Sequence, residues 1–454
     1  MAAMDAPKKP SRHVLGMIFL TVLMDIIGFA VIIPMFPELL RHYLAAEGGP
    51  GSLVSAMRDL ALSLAGENPR PELIAVLFGG FLSALFSGLQ FVCSPFWGAL
   101  SDRVGRRPVL VFTLLGNASA YVLWVFAGQF WVLVLSRVIC GLAAGNIAVA
   151  SAAAADITDR DNRTKGMAVV GVAIGLGFLL GPVIGGLASH WVLPHAVSDV
   201  PALALNPFSG PALVSACLAT LNFLIVWRAF PETRDPARTS AERRPTFLAI
   251  VRLRDGGVRR ASLANLLYQV AFTGMENTVV FLTAALFLYT ARDNAYLFLS
   301  NGLCLMLAQG VAARVLVRRI GERAVAAIGF LTGMVALTTI ALIAYPAPGQ
   351  TAMEHKTLFY SATGLLAFST GLILPSLSAL VSLYSDPAEQ GRNLGILRSA
   401  GALARIIGPL AAAYVFFRTG THQWVYLAGA VLMAPGLWMI TRLPDPRGSA
   451  SGEA

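Results

Sequence analysis

The sequence predicts an all-α membrane protein with twelve transmembrane helices, arranged as two pseudo-symmetric six-helix bundles. Of its 454 residues, 56% are hydrophobic and only 13% are charged, and the mean hydropathy is +0.69. Soluble domains carry about 25% charged residues, so this deficit indicates a chain embedded in lipid. Twelve apolar runs reach the length of about 20 residues that a helix needs to cross the hydrocarbon core.

Each run is predicted to be one membrane crossing. The first follows Lys8, Lys9 and Arg12, as the apolar core of a signal peptide would. It is nevertheless too long for one, contains Asp25 and lacks a small-residue cleavage site, so we expect a retained helix. The runs cover residues 14–36, 73–97, 108–128, 131–153, 166–189, 210–230, 261–290, 294–317, 324–345, 357–384, 393–417 and 423–441.

The distribution of basic residues predicts the orientation of the chain. With both termini in the cytoplasm, 26 of the 34 Lys and Arg residues face the cytoplasm. This bias follows the positive-inside rule, so the net charge of +10 reports topology and contact with membrane lipids rather than binding to nucleic acid. We expect a multi-pass protein of the inner or plasma membrane of the cell.

The runs divide six and six around a polar, arginine-rich segment. We predict a cytoplasmic N-terminus (1–13), a first bundle (14–230), a cytoplasmic linker (231–260), a second bundle (261–442) and a cytoplasmic tail (443–454). The bundles repeat short patterns at matching helices: "SDRVGRR" (101–107) corresponds to "VRRIGER" (317–323), and "LLGPVIGG" (179–186) to "IIGPLAAA" (406–413). Parallel repeats of this kind are typical of transporters whose binding site lies between the two halves.

Several motifs together resemble the major facilitator superfamily. The turn "GALSDRVGRR" (98–107) is similar to its G-x-L-a-D-r-x-G-r-k loop, and Leu133, Arg137 and residues 141–144 are similar to its fourth-helix motif. "GFLLGPVIGG" (177–186) resembles the fifth-helix motif of its drug:proton antiporters, and "FPET" (230–233) ends the first half as in many members. Within the superfamily the chain looks closest to the tetracycline-transporter-like proteins of animals and the bacterial tetracycline exporters.

The charged turn is a candidate conformational latch. A carboxylate such as Asp102, between a helix end and a helix start, can accept backbone N–H bonds or meet a helix dipole. The arginines can pair with Asp156 or Asp159, and the family resemblance implies that the cluster locks one transport state. Positive-inside anchoring alone is the alternative, and the second repeat departs from the pattern at Arg314 and Arg318. The latch set is Gly98, Asp102, Arg103, Gly105, Arg106, Arg107 and Asp156.

Four ionisable residues fall deep within apolar runs: Asp25, Arg137, Glu276 and Arg405. A charge at mid-bilayer costs roughly 2.5–3.5 kcal/mol on insertion scales. These residues are therefore expected either to have a functional role or to form static ion pairs that only order the bundle, and we favour the functional role. We expect Asp25 to carry a coupling proton that Arg137 helps to expel, with Glu276 as a second proton site or a substrate contact. The polar residues expected to line the substrate cavity are Thr21, Asn146, Asn265, Gln269, Thr273, Asn277 and Arg405.

Small residues crowd the fifth helix. They permit close helix packing or a kink, so a packing seam and an antiporter hinge both remain open. The candidate hinge residues are Gly177, Gly181, Pro182, Gly185 and Gly186.

The function expected from these features is secondary active transport. We expect a monomeric, proton-coupled antiporter that exports amphipathic organic compounds, such as drugs or organic anions, by alternating access. Uptake or exchange of a metabolite or lipid, and a non-transporting receptor on the same fold, are the alternatives. No nucleophile–base constellation, phosphate-binding loop or metal-ligand spacing is readable, so we expect no enzyme activity, no cofactor and no metal.

Overall fold

A computed structural model describes most of the apolar runs and little of the predicted linker and termini. Within the described residues the chain is almost entirely helical, and the one β-bridge joins Ala127 and Leu203. Asp159 and most of the linker, N-terminus and tail lie outside the described ranges, which are 12–47, 49, 51–65, 71–158, 163–191, 193, 202–234, 256–345, 352–385, 390–419 and 421–444.

The α-helices follow the apolar runs closely. A 3₁₀ turn (Ile33–Met35) joins the first two helices, a π-helical turn (Ala308–Ala312) separates the eleventh from the twelfth, and a 3₁₀ turn (Ala352–His355) precedes the thirteenth. In chain order the helices are α1 (Arg12–Ala30), α2 (Phe36–Glu47), α3 (Leu53–Ala65), α4 (Pro71–Val104), α5 (Arg106–Val125), α6 (Phe130–Ala143), α7 (Asn146–Asp156), α8 (Arg163–Ala188), α9 (Ser209–Ala229), α10 (Gly256–Phe287), α11 (Ala291–Leu307), α12 (Ala313–Ile343), α13 (Lys356–Leu383), α14 (Gln390–Thr419) and α15 (His422–Thr441).

The predicted all-helical membrane protein is confirmed, with eleven described helical stretches long and apolar enough to cross a membrane. This number agrees approximately with the expected twelve. The run at 294–317 is the one that is not among them. Its helix α11 ends after 17 residues at the π-helical turn, and the arginines that follow reduce the hydropathy of the continuing helix.

The chain divides into two compact units, Met1–Val54 with Leu85–Pro245 and Ser55–Ala84 with Thr246–Ala454. In the first unit, a core of buried side chains joins α1, α5, α7, α8 and α9. Helices α1 and α8 approach closely: a Cβ on Gly177 would lie 2.6 Å from Cβ of Ile26, and one on Gly181 would lie 2.5 Å from Cβ of Ala30. The absence of these side chains therefore allows the two helices to pack.

The second unit contains a matching seam between α10 and α14. A Cβ on Gly408 would lie 2.8 Å from the carbonyl oxygen of Val270, and one on Gly274 would lie 3.1 Å from the carbonyl oxygen of Gly408. Gly181 and Gly408 occupy the same place in the repeated "GP" patterns of the sequence. The seam thus recurs between the first and fifth membrane helices of each half.

The repeated charged turns also share a backbone conformation. Gly105 has φ 108° and ψ 159°, and Gly321 has φ 82° and ψ 163°. This region of φ and ψ is open essentially to glycine alone, because any Cβ clashes with the backbone. Each glycine therefore ends one membrane helix and begins the next.

Candidate functional site

Arg106 organises the predicted latch turn. Its Nη1 lies 2.6 Å from Oδ1 of Asp102, and its Nε donates to Oδ2 of Asp156 at 2.8 Å. Nη1 also donates to Oγ of Ser101 at 2.6 Å, and the side chain is only 6% exposed. One guanidinium therefore ties the end of α4 to the end of α7 within the first unit.

The other latch residues are arranged differently. Arg107 donates through Nη2 to the carbonyl oxygen of Trp227 at 2.6 Å, and the carbonyl oxygen of Arg103 accepts from Nη1 of Arg234 at 2.5 Å. Gly98 lies inside α4, and a Cβ there would meet nothing within 4 Å in the described residues. The two glycines of the motif thus differ, because only Gly105 needs its special backbone conformation.

Glu232 caps the N-terminus of α5, a role that the sequence suggested for Asp102. Its Oε1 accepts the backbone N–H of Arg106 at 2.8 Å, and its Oε2 accepts that of Arg107 at 3.2 Å. A carboxylate here satisfies two unpaired N–H groups and meets the positive end of the helix dipole. A Cβ on Gly105 would lie 2.4 Å from Oε2, so glycine also makes room for the cap. The "FPET" motif marked this position but not its contact with α5.

Asp25 is held by amides. Its Oδ1 accepts from Nδ2 of Asn117 at 2.8 Å and from Nδ2 of Asn146 at 2.9 Å, and its side chain remains partly exposed. Asn146 is oriented in turn because its Oδ1 accepts from the hydroxyl of Thr113. Asn146 was predicted from the sequence, but Asn117 and Thr113 were not. The sequence marks these two only as polar residues within an apolar run.

The guanidinium group of Arg137 packs on aromatic rings and not against a carboxylate. Its guanidinium carbon is 4.8 Å from the ring centre of Trp124 and 5.4 Å from that of Tyr121, within the range of cation–π attraction. The side chain is 2% exposed, and its Nη2 donates to Oγ of Ser136 at 3.1 Å. Among the described residues no ion pair within 4.0 Å joins it to Asp25.

The ring of Tyr121 contacts Arg137 and also packs against α1, the helix that carries Asp25. A Cβ on Gly28, one turn after Asp25, would be 3.2 Å from this ring, and the guanidinium of Arg137 stacks on it. Neither Tyr121 nor Trp124 was singled out from the sequence, because aromatic residues in apolar runs are usually core residues.

In the second unit, α10 carries the predicted polar stripe and α14 carries Arg405. Glu276 and Arg405 are both partly exposed, and no ion pair within 4.0 Å joins them in the part of the chain that is described. In each unit, therefore, the acid and the arginine of the described membrane helices form no ion pair with each other.

The polar stripe of α10 divides into two groups. Asn265 donates through Nδ2 to the carbonyl oxygen of Leu397 at 3.0 Å, and Thr273 donates through Oγ1 to that of Ala404 at 3.1 Å. These two side chains are buried and bind α14. Gln269 and Asn277 are partly exposed, like Glu276, and Oδ1 of Asn277 accepts from the hydroxyl of Ser83.

The predicted hinge residues lie where α8 packs against the segment that begins with α1. A Cβ on Gly185 would lie 2.1 Å from the carbonyl oxygen of Val31, which continues the close contacts of Gly177 and Gly181. Pro182 lies inside α8, and both it and Gly186 are buried.

Comparison with known proteins supports the same kind of molecule. The profile of the Major Facilitator Superfamily matches residues 18–353 and 266–454. Major facilitator superfamily domain-containing protein 10 of Mus musculus is 33% identical over 97% of this chain and 95% of its own length. The class D tetracycline resistance protein of Salmonella ordonez is 29% identical, over 93% of this chain and 96% of its own length. A crystal structure titled human organic anion transporter MFSD10 (TETRAN) superposes with a TM-score of 0.71 at 30% identity, covering 95% of this chain and 100% of the other.

The helical fold, the paired repeats and the charged groups within the membrane helices define a multi-pass membrane transporter rather than an enzyme. Its family follows from the match over nearly the whole chain. The protein belongs to the Major Facilitator Superfamily.

Proposed function

We propose that this transporter is a proton-coupled antiporter that exports amphipathic organic compounds by alternating access. The observation that carries the proposal is Asp25, a partly exposed acid in a membrane helix that is held by two neutral amides. Such a carboxyl can gain and lose a proton without breaking an ion pair. An arginine clamp would oppose that change, because the salt bridge would hold the ionised form.

Glu276 is the second acid in the proposal. It takes a second proton or contacts a cationic part of the substrate, with Gln269, Asn277 and Arg405 nearby on α10 and α14. Two acids and two arginines suit an anionic, cationic or zwitterionic solute. The similar proteins are titled an organic anion transporter and a tetracycline resistance protein, and these titles support an amphipathic organic substrate.

The proposed energetics are sufficient for export. A proton that moves inward across 100 mV releases about 2.3 kcal/mol. Each unit of pH difference adds about 1.4 kcal/mol. A single proton can therefore sustain an accumulation ratio of about 10 from one unit of pH difference alone, and of about 500 when 100 mV is added.

The cytoplasmic turn supplies the conformational part of the proposal. The Arg106 network with Asp102 and Asp156 can hold one state of the transport cycle, provided that it opens when the state changes. The proposal also includes the predicted topology and state: both termini lie in the cytoplasm, and the protein acts as a monomer in the cell membrane.

Transport in proteoliposomes tests the proposal. Tetracycline and a fluorescent organic anion serve as probes, and a pH gradient is imposed with the acidic side opposite to the probe. Wild-type protein is expected to concentrate at least one probe, and Asp25→Asn is expected to abolish the effect of the gradient. The control is Asp59→Asn, whose side chain is 65% exposed on α3. Gradient-driven transport by Asp25→Asn at the wild-type rate would refute the role of Asp25.

A further inference from the structure

Three buried oxygen atoms on residues around Asp25 have no hydrogen-bond partner among the described residues. They are Oγ1 of Thr21, Oδ1 of Asn117 and Oδ1 of Asn222, and the three residues are 1%, 5% and 1% exposed. Buried polar atoms are almost always paired, and an unpaired one destabilises the fold. A group of them beside a carboxylate therefore requires an explanation.

The side-chain amides of Asn117 and Asn222 are each oriented by the hydrogen bond that the Nδ2 group donates. Nδ2 of Asn117 faces Oδ1 of Asp25 at 2.8 Å, and Nδ2 of Asn222 faces the carbonyl oxygen of Thr21 at 3.0 Å. Reversing either amide would place two acceptor oxygens against each other. The amide oxygens are therefore the atoms left over.

The residues that carry these oxygens meet α1 within one turn. Thr21 and Asp25 are four residues apart, so their side chains share one face of the helix. Asn117 contacts the carboxylate of Asp25 from α5, and Asn222 contacts the backbone carbonyl of Thr21 from α9. The hydrogen bonds recorded for Asp25 both go to Oδ1, which leaves Oδ2 to complete the group.

We infer that Asp25, Thr21, Asn117 and Asn222 form a binding site for a monovalent cation of the size of sodium. Carboxylate, amide carbonyl and hydroxyl oxygens are the ligands that hard cations prefer. A single carboxylate matches a single positive charge, whereas divalent sites usually gather more carboxylates. Partial exposure of Asp25 supplies a route for the ion.

This inference deepens the proposed function, because the cation would share Asp25 with the coupling proton. Cation binding differs from proton binding because it also needs the neutral oxygens of Thr21, Asn117 and Asn222. Thr21→Val is the sharpest probe, since the hydroxyl makes no hydrogen bond in the protein and valine has the same shape. Thr21→Ser restores the hydroxyl.

The experiment is a titration of the purified protein with sodium chloride, in which choline chloride keeps the ionic strength constant. The readouts are the thermal unfolding midpoint and equilibrium binding of radioactive sodium. Wild-type protein and Thr21→Ser are expected to bind sodium saturably, with choline giving no effect. In Thr21→Val the half-saturating concentration should rise at least about tenfold, which corresponds to about 1.4 kcal/mol. Thr332→Val, a threonine of α12 in the second unit, should bind as wild type does.

Two results would overturn the inference. If sodium neither binds to the wild-type protein nor changes its thermal unfolding midpoint, the oxygens bind only water. Equal binding in Thr21→Val and wild type would place the ion elsewhere. The proposed function fails separately, if wild-type protein binds sodium but shows no transport driven by a pH gradient.

Discussion

Substitution of Gly105 by alanine tests the account of the charged turn most sharply. The residue has φ 108° and ψ 159°, a conformation that costs a residue with a Cβ about 1–3 kcal/mol. The added Cβ would also lie 2.4 Å from Oε2 of Glu232, so the carboxylate must leave the N-terminus of α5. Loss of a helix cap costs about 0.5–2 kcal/mol. We therefore expect Gly105→Ala to lower the free energy of unfolding by roughly 1.5–5 kcal/mol.

The matched control is Gly98→Ala in the same motif. A Cβ on Gly98 would meet nothing within 4 Å, and the residue lies inside α4, where alanine is favoured over glycine by about 0.5–1 kcal/mol. Denaturant unfolding of the detergent-solubilised proteins, followed by tryptophan fluorescence, measures both variants. The reasoning is refuted if Gly105→Ala is as stable as wild type, or if Gly98→Ala is destabilised to the same extent.

Three further predictions rest on separate contacts. Glu232→Ala should lower the free energy of unfolding by about 0.5–2 kcal/mol in the same unfolding assay, because the first N–H groups of α5 lose their acceptor, and unchanged stability would exclude the cap. Gly181→Ala should cost about 1–3 kcal/mol through overpacking against Ala30, whereas Gly175→Ala in the same helix meets nothing within 4 Å and should cost nothing; equal effects would contradict the seam. Asp25→Asn should change the unfolding free energy by less than about 1 kcal/mol, because an amide oxygen can still accept from Asn117 and Asn146, and a larger loss would mean that Asp25 is a structural residue.

Much of the fold could be predicted from the sequence, because apolar length and charge bias are direct consequences of the bilayer. The runs containing α1, α5 and α8 appear as helices close to their predicted bounds. The exception at 294–317 arises from a π-helical turn that ends α11 after 17 residues, and this turn depends on local backbone geometry that the apolar run did not reveal.

The candidate site was less accessible to sequence reasoning. Asp25 and Arg137 stood out as charges in apolar runs, yet nothing in their spacing indicated amide partners for one and aromatic partners for the other. Glu232 illustrates the same difficulty, because its contact with α5 joins residues 126 positions apart. Such pairings depend on how the helices pack. A local sequence pattern can mark a close-packed helix, but it does not show which side chains of a neighbouring helix will be the partners.

The central claim is that substrate and protons move in opposite directions through the same cycle. Proteoliposomes without an initial pH gradient, loaded with a pH-sensitive dye, test it directly when the transported probe is added outside. The account predicts that entry of the probe drives protons out, so that the interior becomes more alkaline with wild-type protein and stays unchanged with Asp25→Asn. Probe entry through the wild-type protein with no change in internal pH, or with acidification, would contradict it.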